Sequence, residues 1–153
     1  MDLILWRHAE AQEPEGDMTD LDRALTRRGD KQAARMAAWL DRQLPEGTRV
    51  LTSPAVRTEQ TVRALGRKYR LHDELRPGAS PDQLLQLAGW PMAKTPALIV
   101  GHQPTLGQTI SRLLGMADNE CSVKKGAVWW LRCREREGQL QTVVVTVQTA
   151  ELL

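Results

Sequence analysis

The chain has 153 residues, 41% of them hydrophobic, which is enough for one domain with a sizeable core and too few for two ordinary domains. Its 21 basic and 19 acidic residues leave a formal net charge of +2, so no strong overall field draws it to nucleic acid or to an anionic membrane. We therefore expect a single domain over residues 1–153, neither nucleic acid nor membrane as a partner, and recognition of any anion by local groups.

The start of the chain carries no basic stretch ahead of a long apolar core, and no apolar run approaches the roughly 20 residues that a membrane helix needs. The sequence thus predicts a soluble cytoplasmic protein. Cys121 and Cys133 lie in no Cys-x-x-Cys arrangement, so we interpret them as reduced thiols and assign them no function.

A strand, an acidic loop and a helix are predicted for the first part of the chain. Leu3 to Trp6 is a short apolar run typical of a buried strand. Residues 9–22 are rich in Asp and Glu, as expected of a solvated connecting loop. From Thr26, which can serve as an N-cap, apolar residues recur at helical spacing as far as Leu44.

A second strand and two helices follow. Arg49 to Thr52 is another apolar run that predicts a buried strand. Ser53-Pro54 then supplies an N-cap and a proline at the first helical position, and the helical pattern continues to Tyr69. Ser80-Pro81 opens a further short helix through Leu87.

The remainder of the chain predicts one more strand and helix and then a hairpin. Pro96 to Val100 is an apolar run, and Pro104 to Gly115 has helical periodicity. Val128 to Leu131 and the nearly alternating Leu140 to Val147 flank a charged turn, as in an antiparallel hairpin. Strands that alternate with helices predict an α/β fold: a three-layer α/β/α sandwich with a mostly parallel sheet and antiparallel edge strands from the C-terminal hairpin.

Polar residues follow three of the predicted strands. Arg7-His8 follows the first strand, Arg57 lies in the first turn of the helix after the second, and His102 follows the strand that ends at Val100. The carboxyl ends of parallel strands meet at one edge of a sheet, where loops and helix N-termini bind ligands. Two arginines and two histidines at that edge predict a pocket for phosphate or carboxylate.

Each of these residues alone is more often an ordinary surface residue, and we interpret His72, which stands in a polar segment with no partner motif, in that way. The shared position of Arg7-His8, Arg57 and His102 on different strand–helix units is what favours a site.

The same residues resemble the histidine phosphatase superfamily, the phosphoglycerate-mutase-like enzymes. The resemblance spans nearly the whole chain and rests on Arg7-His8, Leu25-Thr26 with Gly29, Ser53-Pro54 with Arg57 and Gln60-Thr61, and Val100-Gly101-His102. The small size, Arg7-His8-Ala9-Glu10-Ala11, and Glu74-Leu75 followed by Pro77 are most similar to phosphohistidine phosphatases of the SixA type.

The resemblance implies a metal-independent enzyme without a cofactor. His8 would be the nucleophile that forms a covalent phosphohistidine, which requires a neutral imidazole with one nitrogen free. Arg7, Arg57 and a protonated His102 would bind the phosphoryl oxygens, with further amide donors near Pro104. Phosphate or sulfate is expected to fit the same pocket.

Two departures from the family pattern bear on this chemistry. Ala9 stands where glycine is common after the Arg-His pair, so it disfavours a positive φ and narrows the backbone approach to phosphate. Gln103 stands where one branch of the family has an acidic residue after its second histidine. Glu10 and Glu74 are the candidates for a general acid, although solvated loop carboxylates are the simpler interpretation of both.

A site poor in acids suits a phosphoramidate, because imidazole leaves more readily than an alkoxide. The sequence therefore favours removal of phosphate from phosphohistidine on a phosphorylated protein of the histidine-phosphotransfer type. A phosphomonoesterase acting on small phosphorylated substrates and a non-catalytic phosphate-recognition module remain as alternatives. The acidic loop could meet a basic surface of such a partner, or simply connect two elements.

Overall fold

A computed structural model describes residues 1–153 as a six-stranded sheet with four α-helices. The strands are β1 Asp2–Arg7, β2 Arg49–Thr52, β3 Arg70–Leu71, β4 Ala97–Gly101, β5 Val128–Arg136 and β6 Gln139–Gln148. The helices are α1 Arg27–Gln43, α2 Val56–Arg63, α3 Pro81–Ala88 and α4 Thr105–Leu114. Short 3-10 turns occur at Asp20–Asp22, Asp73–Leu75 and Ala150–Leu152.

The strand order is β3-β2-β4-β1-β5-β6. The strands β1 to β4 are parallel to one another, and β5 pairs antiparallel with both β1 and β6. The predicted α/β sandwich, with a mostly parallel sheet and antiparallel strands from a C-terminal hairpin, is thus confirmed.

Alternate residues of the central strands build two cores, one on each face of the sheet. Leu3 and Leu5 pack in a cluster with α3 and α4, whereas Ile4 and Trp6 pack in a cluster with α1 and α2. The side-chain period of two along a strand produces this division. Because both faces are covered, the ends of the strands are where polar side chains can gather.

Several predicted helix boundaries are confirmed by their hydrogen bonds. The Thr26 hydroxyl accepts from Gly29 N at 3.0 Å and caps α1. Ser80 and Gln83 form a capping box at the start of α3. Gly115 closes α4 in the left-handed conformation, as its position after the last apolar residue predicts.

The prediction for the second helix is wrong at both ends. Ser53 does not cap it, because the Ser53 hydroxyl lies 2.8 Å from His102 Nε2 and α2 begins only at Val56. The helix ends at Arg63, and Gly66 has a φ of +72° that breaks the helical pattern. Tyr69 still packs against the core, which explains its helical spacing, and the edge strand β3 follows it unpredicted.

The segment after β1 is fixed against the first turn of α1. Glu10 O accepts from Thr26 N at 3.0 Å, and Glu10 N donates to the Gln32 side chain at 2.9 Å. Gly29 lies so close that a Cβ added to it would stand 2.0 Å from Glu10 O. The glycine therefore permits a close approach of helix to loop that orders the chain immediately after His8.

Replacing Gly29 by alanine tests this contact. Helix propensity alone predicts a gain of up to about 1 kcal/mol in stability for this change. We expect instead a loss of about 1–3 kcal/mol in the free energy of unfolding, because the added methyl group meets a backbone carbonyl that cannot move aside cheaply. Urea unfolding of Gly29→Ala measures the sign, and a stabilised variant would contradict the close approach.

Candidate active site

The fold brings the four predicted residues together at the carboxyl edge of the sheet. Arg7 ends β1, His8 follows it, His102 follows the neighbouring β4, and Arg57 is the second residue of α2. The imidazole rings of His8 and His102 lie 5.4 Å apart between centroids. His8, Arg57 and His102 are 6%, 4% and 3% exposed, so their side chains meet in a largely dehydrated space.

The His8 imidazole is held by one hydrogen bond. Its Nδ1 lies 2.7 Å from Ala9 O. A carbonyl only accepts, so neutral His8 carries its proton on Nδ1 and keeps the lone pair on Nε2. Burial, helped by the charges of Arg57 and Arg7, lowers the pKa of His8 to about 3, against the opposing effect of the Ala9 hydrogen bond. At neutral pH this imidazole is therefore uncharged, which is the state that a nucleophilic nitrogen requires.

His102 is also neutral in this structure, contrary to the expectation of an imidazolium. Burial lowers the pKa of His102 to about 3, with the Arg57 charge and His8 acting in the same direction. Its Nε2 pairs with the Ser53 hydroxyl at 2.8 Å. When that hydroxyl donates, Nδ1 of His102 carries the ring proton and can donate to an anion.

Both arginines are anchored through only part of their guanidinium groups. Arg7 Nη1 donates to Val123 O at 2.7 Å. Arg57 donates from Nη1 to Asp20 O at 2.7 Å and from Nη2 to the Asp20 carboxylate at 3.0 Å. The Nε groups of both arginines and Nδ1 of His102 are buried without a partner in the protein.

Buried N–H groups without an acceptor are rare in folded proteins. Three of the four buried side-chain nitrogens without a partner belong to Arg7, Arg57 and His102 around His8, and the fourth is Nε2 of His72. The charges of the two arginines lower the pKa of His8. An arrangement of charged forks and ring N–H groups around one imidazole matches the oxygens of a phosphoryl group. The site can therefore hold a tetrahedral oxyanion beside a nucleophilic nitrogen.

Comparison with known proteins agrees with this geometry. Residues 3–78 match the model of the histidine phosphatase superfamily, branch 1. A solved structure from Nakamurella multipartitia, assigned as the phosphohistidine phosphatase SixA, is 29% identical, with 96% of this chain and 94% of that chain covered and a TM-score of 0.77. The chain belongs to the histidine phosphatase superfamily.

Two further solved structures share this histidine phosphatase fold. The protein histidine phosphatase SixA complexed with tungstate is 24% identical, with 99% of each chain covered and a TM-score of 0.78. A phosphoserine phosphatase mutant from Entamoeba histolytica in complex with phosphoserine is 16% identical, with 99% of this chain and 98% of that chain covered and a TM-score of 0.73. At these identities the likeness concerns the fold.

Ala9 fits this histidine phosphatase without strain. It is fully buried, and its N–H donates to Thr61 Oγ1 at 3.1 Å. Glu137 is the one residue other than glycine with a positive φ, so the backbone at Ala9 does not require glycine. The Ala9 carbonyl also orients His8, which gives this position a part in the site through its main chain.

The structure does not bring the two predicted carboxylates into contact with His8 or His102. The Glu10 carboxylate accepts from Thr26 Oγ1 at 2.9 Å and lies 3.6 Å from Arg28. The Glu74 carboxylate lies 3.5 Å from His72. Both groups are engaged with partners outside the pocket, and neither forms a hydrogen bond with His8 or His102.

The amide donors expected near Pro104 are also partly used. Leu106 N donates to His102 O, and Gly107 N donates to the Gln103 side chain at 2.6 Å. Gln103 thus serves the start of α4, and its side-chain NH₂ donates to Cys121 O.

The acidic residue that reaches the site is Asp20, which sequence reasoning missed. Its carboxylate lies 3.0 Å from both Arg57 Nη2 and Arg23 Nη1. Burial raises the pKa of Asp20, but the hydrogen bonds from Arg23 and Arg57 outweigh it and lower the pKa overall. Nothing in the acidic loop distinguishes Asp20 from its neighbours except an arginine three residues later.

The pH dependence of stability should report the neutral His8. The unfolded imidazole titrates near its ordinary pKa of 6.5, whereas the folded one titrates near 3. The contribution of neutral His8 to the free energy of unfolding is therefore fully present above pH 6.5. It is lost progressively between pH 6.5 and pH 3, with about 2 kcal/mol lost by pH 5. We expect His8→Asn, which cannot titrate, to lose about 2 kcal/mol less than wild type between pH 7 and pH 5 in urea unfolding. Equal losses would mean that His8 titrates alike in both states.

The charge of Asp20 should weaken anion binding. Asp20→Asn keeps an oxygen that can accept from Arg57 but removes the negative charge, so inorganic phosphate should inhibit about three- to tenfold more strongly. Asp17→Asn, in the same loop and exposed, is the matched control and should leave the inhibition constant unchanged. Weaker inhibition of the Asp20 variant would show instead that the carboxylate is needed to orient Arg57.

Proposed function

We propose that residues 1–153 act as one catalytic domain that removes phosphate from phosphohistidine through a covalent phosphohistidine on His8. The observation that carries this proposal is a neutral His8 with a free Nε2, next to three buried N–H groups without a protein acceptor. The similarity to the SixA structure from Nakamurella multipartitia supports the same substrate class.

In the first step, the Nε2 lone pair of His8 attacks phosphorus while the bond from phosphorus to the substrate nitrogen breaks. The electron pair of that bond goes to the leaving imidazole, which water can protonate. Arg7, Arg57 and Nδ1–H of His102 bind the non-bridging oxygens, whose charge must be stabilised as the group moves. Water then attacks the phosphorus of phospho-His8, releasing inorganic phosphate and regenerating the imidazole.

The protonation of the site supports a nitrogen leaving group. Asp20 is the carboxylic residue hydrogen-bonded to Arg57, and Arg23 and Arg57 lower its pKa, so at neutral pH it is ionised and cannot donate a proton. An alkoxide leaving from a phosphate monoester needs such a donor, which is worth about 10²–10⁴-fold in rate. A phosphoramidate does not depend on it to the same extent.

A small-molecule phosphomonoesterase is the second candidate. The shared fold with a phosphoserine phosphatase favours it, since the phosphoryl-binding groups would be the same for either substrate. The two candidates differ in the leaving group and hence in the demand for an acid.

Relative rates on two substrate classes test the proposal. We expect kcat/KM for a phosphohistidine peptide to exceed that for phosphoserine and for a sugar phosphate by at least about a hundredfold. This is the lower end of the rate factor that general acid catalysis contributes, which the monoesters would lack here. Phosphate release at neutral pH measures all three. Faster hydrolysis of the monoesters would make the enzyme a phosphomonoesterase.

His8→Asn is the control for this experiment. It should bind phosphate while losing turnover on every substrate, because the nucleophile is gone and the arginines remain. Labelled phosphate from the substrate should be recovered on the peptide that contains His8 in wild type and not in the variant. A label on another side chain, or no turnover by wild type, would overturn the catalytic role of His8.

A further inference from the structure

A basic groove lies along the edge of the sheet, away from the phosphoryl pocket. Its volume is about 810 Å³, and it is bounded by β2, by the segment that leads into β3, and by Leu87 of α3. Its lining includes Arg49, Arg67, Lys68 and Arg70 but no aspartate or glutamate. The carboxylate of Glu74, outside the lining, lies 3.5 Å from the imidazole of the lining residue His72. The protein as a whole is nearly neutral, so this concentration of one sign of charge is local.

Part of that charge is uncompensated. Arg49 donates to the Thr95 hydroxyl and to Ala88 O, and Arg67 pairs with Asp41 at 3.2 Å. Lys68 and Arg70 are exposed and form no ion pair. The groove therefore presents two free cations on one wall, and an anionic ligand would gain from both.

The other features of the groove suit an extended peptide. Val50, Leu51 and Leu87 give it an apolar part, and Leu71 is 50% exposed beside it. Leu71 adjoins the groove without lining it. His72 N donates to Thr52 O, so by the alternation along a strand the Leu71 main chain faces away from β2, on the outer side of β3. As β3 is the last strand of the sheet, that edge is open to another strand.

The groove also leads toward the phosphoryl pocket. The strands β1 to β4 are parallel, so the carboxyl end of β3 lies at the same edge of the sheet as His8. Three strand spacings separate β3 from β1, which is about 14 Å. A segment bound along β3 could therefore continue to the site within a few residues.

We propose that this groove binds an extended acidic segment of the phosphorylated partner protein and so selects protein substrates. The inference rests on the proposed function, because it assigns the partner of the same site. A peptide fits better than a nucleic acid, because the open strand edge beside the groove offers main-chain groups that a peptide can match.

The test compares a phosphohistidine peptide that carries an alternating Glu-Val tail with the same peptide that carries an alternating Ser-Val tail. For wild type, the acidic tail should lower KM about tenfold at low salt, and the difference should shrink as salt rises. In Lys68→Glu/Arg70→Glu the advantage of the acidic tail should disappear. Hydrolysis of phosphohistidine as the free amino acid should be the same in both proteins.

Two variants keep this result interpretable. Arg134→Glu/Arg136→Glu makes the same change on β5, near the opposite edge of the sheet, and should retain the acidic-tail preference. Lys68→Gln/Arg70→Gln removes charge without reversing it, and should lose most of the preference even if the double glutamate folds poorly. An unchanged preference in the glutamine variant would overturn the groove assignment.

Binding of the unphosphorylated Glu-Val peptide, measured by fluorescence anisotropy, separates this inference from the proposed function. If the peptide binds and Lys68→Gln/Arg70→Gln weakens it, the groove stands even when phosphohistidine is not hydrolysed. If phosphohistidine is hydrolysed but neither tail nor groove variant matters, the groove assignment fails and the proposed function stands. Tighter binding of a single-stranded oligonucleotide through Lys68 and Arg70 would also overturn it.

Discussion

The arrangement of the active site depends on placing one buried and one partly buried guanidinium group beside two buried imidazoles. Arg57 is almost fully buried, and the pKa of Arg7 is lowered first by burial and then by the Arg57 charge. Two like charges this close to each other destabilise the fold unless hydrogen-bond acceptors offset their repulsion and their loss of water. Val123 O and Asp20 supply those acceptors. The Nε groups of Arg7 and Arg57 have no acceptor in the protein.

The same charges act together with burial on the protonation of His8. Burial alone disfavours a charged imidazole, and the neighbouring arginines disfavour it further, so His8 stays neutral. Groups that would bind the phosphoryl oxygens therefore also keep the attacking nitrogen unprotonated. An anion in the pocket would raise the pKa of His102, because a nearby negative charge favours the imidazolium.

The sequence predicted those site residues that lie at the carboxyl ends of the parallel strands. Arg7, His8 and His102 could be located because short apolar runs identify parallel strands, and the ends of those strands converge. Asp20 could not, because its contact with Arg57 joins residues 37 positions apart and its loop offers many similar carboxylates. The neutral state of His102 was missed for a related reason, since its pKa depends on burial that only the tertiary structure defines.

The predictions from local sequence patterns were wrong where tertiary contacts determine the structure of the segment. Ser53-Pro54 has the sequence of a helix start, yet the Ser53 hydroxyl pairs with His102, a residue brought to it by β4. Leu65 and Tyr69 continue a helical spacing because both pack on the core, although the helix has already ended. The strand β3 was missed because two residues carry too little periodicity to be seen.

Selection among substrates has to come from outside the phosphoryl-binding groups. Arg7, Arg57 and His102 would contact the phosphoryl oxygens, which are alike in phosphohistidine and phosphoserine. What differs is the leaving group, and an ionised Asp20 cannot help an alkoxide to leave. Under the proposed function, the rest of a protein substrate would be distinguished by surfaces around the pocket, where the sheet core no longer dictates the residue types. The edge at β3 is the surface that we propose for this role, because Lys68 and Arg70 are exposed there and form no ion pair within the protein.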